Sequence, residues 1–216
     1  MRYSRLLLAI AVALIVVPTP ALAQLGGRPA EEWIKSLDGP KRVADLKIDE
    51  VVSALKLQPG QVVADIGAGS GLLEVPLAHA VGPKGRVYAV EIDAGFFPEI
   101  KKRAAAGQVT NVETVLGKFT DPALPAKNID LALFHDVMHH VQERAAYLKT
   151  LAAYIAPAGR IAVVDYDGAV SPHIGDPSLQ VTREQLAGWM KDAGFKQVDE
   201  VKLFTDKFYL VFARQP

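Results

Sequence analysis

Residues 65–71 read Asp65-Ile66-Gly67-Ala68-Gly69-Ser70-Gly71, an acid followed by three glycines in alternate positions. Glycine permits positive φ and lets a ligand touch bare backbone. Where such a turn leads from a strand into a helix, the first helical N–H groups add a positive partial charge. Twenty residues beyond Gly71 stands Glu91, a carboxylate placed to accept hydrogen bonds from both hydroxyls of a ribose. Turn and acid together read as a site for a nucleoside-containing cofactor. A second concentration of reactive types follows in His135, Asp136, His139 and His140. His135 and His139 stand four apart, which on a helix would set two imidazoles on one face, as in a metal site. The chain has no cysteine, which removes disulfides, thiolate catalysis and thiolate metal sites together.

These groups need elements to hold them, and the pattern from Lys47 onward supplies an alternation. A short amphipathic helix is expected over Asp49–Leu57 and a buried strand over Gln61–Ile66, with a helix from about Leu72 to Val81 after the glycine turn. A strand over Arg86–Ile92 follows, then a helix carrying Ile100 and Ala104 and closed by Gly107. Strands over Val112–Leu116 and Ile129–Phe134, a helix over Glu143–Ile155 and a strand over Arg160–Asp165 complete the alternation. Such an order argues for a parallel sheet covered by helices on both faces. Thr182 and Gln185 form a capping box that opens a further helix, closed at Gly194. Val198–Phe204 and Lys207–Ala213 are parted only by Thr205-Asp206. A parallel crossover needs a dozen or more residues, so these two strands must pair antiparallel.

A dinucleotide-binding turn has glycines at its first, third and sixth positions. Here Leu72 holds the sixth, and the third glycine, Gly71, comes one residue early. Asp65 would repel a pyrophosphate but suits a ligand carrying an amine and a sulfonium beside its ribose. S-adenosylmethionine (SAM) has all three. The segment Val63–Gly71 resembles motif I of class I SAM-dependent methyltransferases, Val87–Asp93 resembles motif II, and Ile129–His140 resembles motif IV. Ala156–Arg160 is similar to the turn before the fifth strand, and the terminal hairpin is the ending of that fold. The likeness covers Lys47 to Ala213, and within the family it is greatest to small exported bacterial proteins described as predicted methyltransferases.

The resemblance implies an α/β, Rossmann-like class I methyltransferase fold: a mostly parallel seven-stranded sheet ending in an antiparallel hairpin, helices on both faces. It implies SAM as cofactor, with Gly67, Ala68, Gly69 and Gly71 forming the turn against its methionine part and Asp65 orienting its amine. Glu91 would hold the ribose and Ile92 the adenine face. Lys118, Phe119 and Asp121 would flank the adenine; many relatives have an acid where this chain has Lys118. His135 and Asp136 would sit beside the methyl group, as cofactor contacts or as catalytic groups. The His139-His140 pair resembles a structural pair of related methyltransferases, so no metal is expected.

Half of the residues are hydrophobic and 22% are charged, which is globular composition. The formal net charge is zero, without the basic excess that a phosphate backbone calls for, so nucleic acid is not expected as a partner. Arg2 and Arg5 precede an unbroken run of twelve apolar residues, Leu6–Val17, and Ala21-Leu22-Ala23 supplies small residues at a cleavage position. That run is shorter than the roughly 20 residues needed to cross a bilayer. The organisation expected is a cleavable signal over residues 1–23, an extension over 24–46 and a methyltransferase domain over 47–216. Export, to a periplasm, follows, with no stable membrane insertion after cleavage. The acceptor expected is a small molecule or a lipid, methylated by in-line displacement. Two other readings compete: a non-catalytic exported binding module that keeps the fold, and a nucleotide-dependent oxidoreductase, which the displaced third glycine and the terminal hairpin disfavour. On the extension, Trp33 is a candidate for stacking on substrate and Arg42 for reaching a carboxylate. The Gly168–Pro177 loop, holding His173, is a candidate lid.

Overall fold

Alternation along the strands sorts the apolar side chains onto two faces of one sheet. The computed structural model describes residues 28–170 and 175–215; the expected signal segment 1–23 and His173 lie outside them. Strands β1 (Val62–Ile66), β2 (Arg86–Glu91), β3 (Val112–Leu116), β4 (Ile129–His135), β5 (Ile155–Tyr166), β6 (Phe195–Glu200) and β7 (Lys207–Arg214) form a seven-stranded sheet in the order β3-β2-β1-β4-β5-β7-β6. The first five are parallel, and β7 inserts antiparallel between β5 and β6.

Helices α3 (Ile48–Ala54) and α4 (Glu74–Val81) cover one face, where Val51, Leu55, Leu73 and Leu77 pack on Val63, Val87, Leu131 and Leu133. Helices α6 (Arg144–Ala152) and α7 (Arg183–Asp192) cover the other, where Leu148, Leu151, Leu186 and Met190 pack with Ala64, Ile66, Phe134 and Val163. Fully burying a side chain of this size contributes about 1.5–3 kcal/mol, so the two layers dominate the energetics. Helix α5 (Phe97–Ala106) buries Ile100 beside Phe96 and Ala89 near β2.

The alternation and the antiparallel ending are as the pattern requires, while several boundaries move. Strand β5 begins at Ile155 rather than Arg160, because Ile155 pairs with Ile129 and the register then jumps to Leu131 opposite Arg160. Pro157 and Gly159 sit inside that bulge, where a Cβ on Gly159 would stand 2.6 Å from the Ile129 carbonyl oxygen. The last pair of strands is not a tight hairpin around Thr205-Asp206. Strand β6 starts at Phe195 and ends at Glu200, and Val201, Leu203 and Phe204 leave the sheet to pack on the α3–α4 face. The capping box is formed: the Thr182 hydroxyl accepts from the Gln185 N–H at 3.2 Å, and the Gln185 side chain accepts from the Thr182 N–H at 3.0 Å.

The extension carries two helices, α1 (Ala30–Leu37) and α2 (Pro40–Asp45). It lies across the C-terminal edge of the sheet, with Ala30 buried against the cluster of Phe96 and Ile100. In the sheet order, β1 and β4 are neighbours between crossovers that run to opposite sides. That switch point is where an open α/β sheet leaves a crevice.

Candidate active site

The glycine turn leaves β1 at that crevice. The N–H groups of Gly67 and Ala68 both donate to the Val90 carbonyl, at 2.9 and 3.0 Å, which ties the turn to β2. Gly67 has φ +77°, and a Cβ there would stand 2.3 Å from Val137. The segment after β4 therefore packs on the turn only because the side chain is missing. Gly71, at φ +85°, faces away from the crevice toward the backbone of Ile100.

Glu91 ends β2 beside this turn and is almost wholly buried. Its carboxylate accepts from the N–H of Gly69 at 3.0 Å and of Ile92 at 2.7 Å. Burial pushes its pKa up, and these donors oppose the shift. The crevice opens into a cavity of about 440 Å³. Gly67, Ala68, Gly69, Glu91, Ile92, Lys118, Phe119, His135 and Asp136 all line it, so most of the sequence-derived site converges on one space.

Asp65, Gly71 and Asp121 do not line the cavity. Asp121 is occupied in its own loop, where its carboxylate accepts from the Ala123 N–H at 2.7 Å and from the Tyr154 hydroxyl at 2.9 Å. Asp65 shares the face of Val63, which turns it beneath the turn toward α4. There it meets Glu74, whose side chain is completely buried. Burial drives both acids up: Asp65 to about 7, Glu74 well above the carboxyl range. Neither Glu74 oxygen nor Asp65 Oδ2 has a hydrogen-bond partner, and after burial the charge of the neighbouring Asp65 raises Glu74 further.

At the far wall, His135 ends β4 with neither ring nitrogen hydrogen-bonded. Burial lowers its pKa to about 4, so the ring is neutral. Asp136 follows in left-handed backbone, φ +57°. One of its carboxylate oxygens accepts from the buried Lys207 ammonium at 2.7 Å; the other, Oδ1, has no partner. His139 sits not on a helix but in a single 3₁₀ turn, Met138–His140, while His135 belongs to the strand, so the helical face that their spacing would allow is not formed. His139 Nδ1 instead lies 2.7 Å from Asp165, whose carboxylate also accepts from the N–H groups of His139 and Tyr166. Among the described residues no cluster of three or more His, Cys, Asp or Glu could hold a metal ion.

The extension completes the wall with Trp33, Leu37, Arg42 and Leu46. The Arg28 guanidinium lies 4.2 Å over the Trp33 ring, and Arg42 donates to the Leu37 carbonyl at 2.9 Å. The described parts of the Gly168–Pro177 loop do not line the cavity; Tyr166 just before it does. Sequence reasoning missed Glu74, Asp165 and Lys207. Asp165 carried a usable signal, an acid at the C-terminal end of a buried strand. Lys207 carried none, since a lysine opening a strand is ordinary.

Residues 63–159 match the family described as methyltransferase domain. An arsenite methyltransferase of Halobacterium salinarum is 25% identical over 151 residues, which cover 70% of this chain and 37% of that protein. The chain spans just over a third of the length of the first curated relatives it matches. A SAM-dependent methyltransferase from Aquifex aeolicus has the same fold, with a TM-score of 0.77 at 22% identity, covering 87% of this chain and all of that one. The 1,6-didemethyltoxoflavin-N1-methyltransferase of Burkholderia thailandensis, solved with 1,6-didemethyltoxoflavin and S-adenosylhomocysteine, follows at 0.69 and 20%, covering 95% and 94% of the two chains.

Proposed function

We propose that this chain, whose residues 63–159 match a methyltransferase domain family, transfers the SAM methyl group to a small or lipophilic acceptor outside the cytoplasm. The observation that carries the reading is the convergence in one cavity of the glycine turn and Glu91 with the His135–Asp136 wall. The residues present fit the cofactor. The turn offers backbone without side chains at Gly67 and Gly69, and Glu91 offers a carboxylate for a ribose diol. SAM, when bound, supplies an electrophilic methyl group.

The protein's part is then to hold an acceptor atom in line with that methyl and to keep water out. Ile92 and Phe119 give the adenine end an apolar wall, and Val137 and Val141 continue it toward the acceptor. Where the acceptor atom carries a proton, the neutral His135 ring is a base within the same wall. Arsenite is not the acceptor we propose: its chemistry leans on cysteines, and the chain has none. The near-neutral charge argues against nucleic acid. Export rests on the pattern of residues 1–23.

Calorimetric titration of residues 24–216 with SAM and with S-adenosylhomocysteine tests this. Micromolar binding of both supports it. A folded sample that binds neither would move the reading to a non-catalytic module.

A further inference from the structure

We infer that His135 and Asp136 form an acceptor subsite for an uncharged hydroxyl on an apolar or aromatic body, and that Lys207 is the positioning residue that makes it so. This deepens the methyl-transfer reading and rests on it.

Asp136 Oδ1 and both nitrogens of His135 are buried polar atoms without partners, on residues that line the cavity. Their side chains are more than nine-tenths buried. Buried polar groups are ordinarily satisfied, so this set points to a ligand group that meets Asp136 Oδ1 and one nitrogen of His135. A neutral imidazole presents one donor and one acceptor, and Asp136 Oδ1 presents an acceptor. A hydroxyl, which donates and accepts at one atom, accepts from one imidazole N–H and donates to Asp136 Oδ1.

An aspartate alone at this place would attract an ammonium group. Lys207 removes that preference. Its ammonium is 2.7 Å from Asp136 Oδ2, with side-chain exposures of 2% and 8% for the pair. It also lies 4.5 Å over the Tyr166 ring and 5.3 Å over that of Phe204, which fixes it from the far side. At this burial the two charges neutralise each other within the wall. A cationic acceptor would lose its hydration there and gain no net counter-charge. Asp136 itself stands in left-handed backbone, φ +57°. Trp33, Val137 and Val141 supply the apolar surround.

The test uses benzyl alcohol and benzylammonium, alike in shape and different in charge, titrated by NMR into the protein saturated with S-adenosylhomocysteine. Benzyl alcohol is expected to bind about tenfold or more tighter than benzylammonium. Lys207→Met is expected to erase or reverse that preference while S-adenosylhomocysteine affinity stays unchanged; Lys207→Arg, which keeps the ion pair, is expected to restore it. Should Lys207→Met fail to fold, Asp136→Asn serves, since asparagine tolerates the left-handed backbone. It is expected to weaken benzyl alcohol about tenfold. Equal binding of the two probes, no binding of benzyl alcohol at millimolar concentration, or a folded variant with unaltered preference overturns the subsite. Failure of S-adenosylhomocysteine itself to bind would instead overturn the methyltransferase reading.

Discussion

Ser70, inside the glycine turn, donates its hydroxyl to Asp38 at the end of α1, at 2.7 Å. The same Asp38 carboxylate pairs with Arg103 of α5. One acid of the extension thus ties the glycine turn to two other elements, and it does so where Leu37 packs 3.2 Å from the position of a Cβ on Gly69. The extension is part of the site and not a tail beside it.

Asp38→Ala removes both contacts and should loosen the extension from the cavity mouth. Partly exposed pairs of this kind are worth about 1 kcal/mol or less, so S-adenosylhomocysteine affinity should fall about fivefold with little change in melting temperature. Ser70→Ala should give a smaller fall of the same sign. Calorimetry and limited proteolysis of residues 28–46 check this; unaltered affinity and cleavage would detach the extension from the site.

Glu91→Ala removes the carboxylate facing the expected ribose and should weaken SAM by on the order of 2–3 kcal/mol. It also orphans the N–H groups of Gly69 and Ile92, so a melting curve must accompany the titration. Affinity equal to the parent in a folded variant would remove Glu91 from the cofactor site.

The acid pair beneath the turn makes a pH prediction. Asp65 and Glu74 both have folded pKa values raised above the ordinary carboxyl range. The folded state therefore binds more protons than the unfolded one; the contribution is fully present below the ordinary carboxyl values and falls as pH rises, that of Asp65 ending near 7 and that of Glu74 continuing above it. His135 acts in the opposite sense, since its folded value is lowered to about 4; its contribution grows with pH and is complete above its unfolded value. The window that isolates the acid pair is about pH 7 to 8.5. Denaturant midpoints should fall across it, and Glu74→Gln should flatten the slope and stabilise the protein at the upper end by on the order of 1 kcal/mol. Parallel slopes for parent and variant would contradict the raised value of Glu74.

For export, residues 1–23 fused to a reporter should carry it across the membrane, measured by activity in the periplasmic fraction. A reporter retained in the cytosol would cancel the localisation.

Much of the site was legible along the chain because it depends on local rules. A glycine turn announces itself through residues that tolerate positive φ most readily, and Glu91 through its place at the end of a continuous apolar run, Val87 to Val90. The same periodicity separates Val63 from Ala64 onto opposite faces, and the short link between the last strands dictates antiparallel pairing. Spacing cannot say what an acid meets. Asp65 turns under the loop to Glu74, and Asp121 closes its own loop. His139 lies against Asp165 in a 3₁₀ turn that the four-residue spacing mistakes for a helix face. Asp136 finds Lys207 across 71 positions of sequence, because β7 inserts beside β5 and brings its first residue under the end of β4. The chain by itself determined the fold, the glycine turn and the acid that stands beside it, since each follows from backbone freedom and short-range pattern. Only the tertiary structure decided which charges are paired, which are buried and which face the cavity, since those depend on strand order and packing between distant segments.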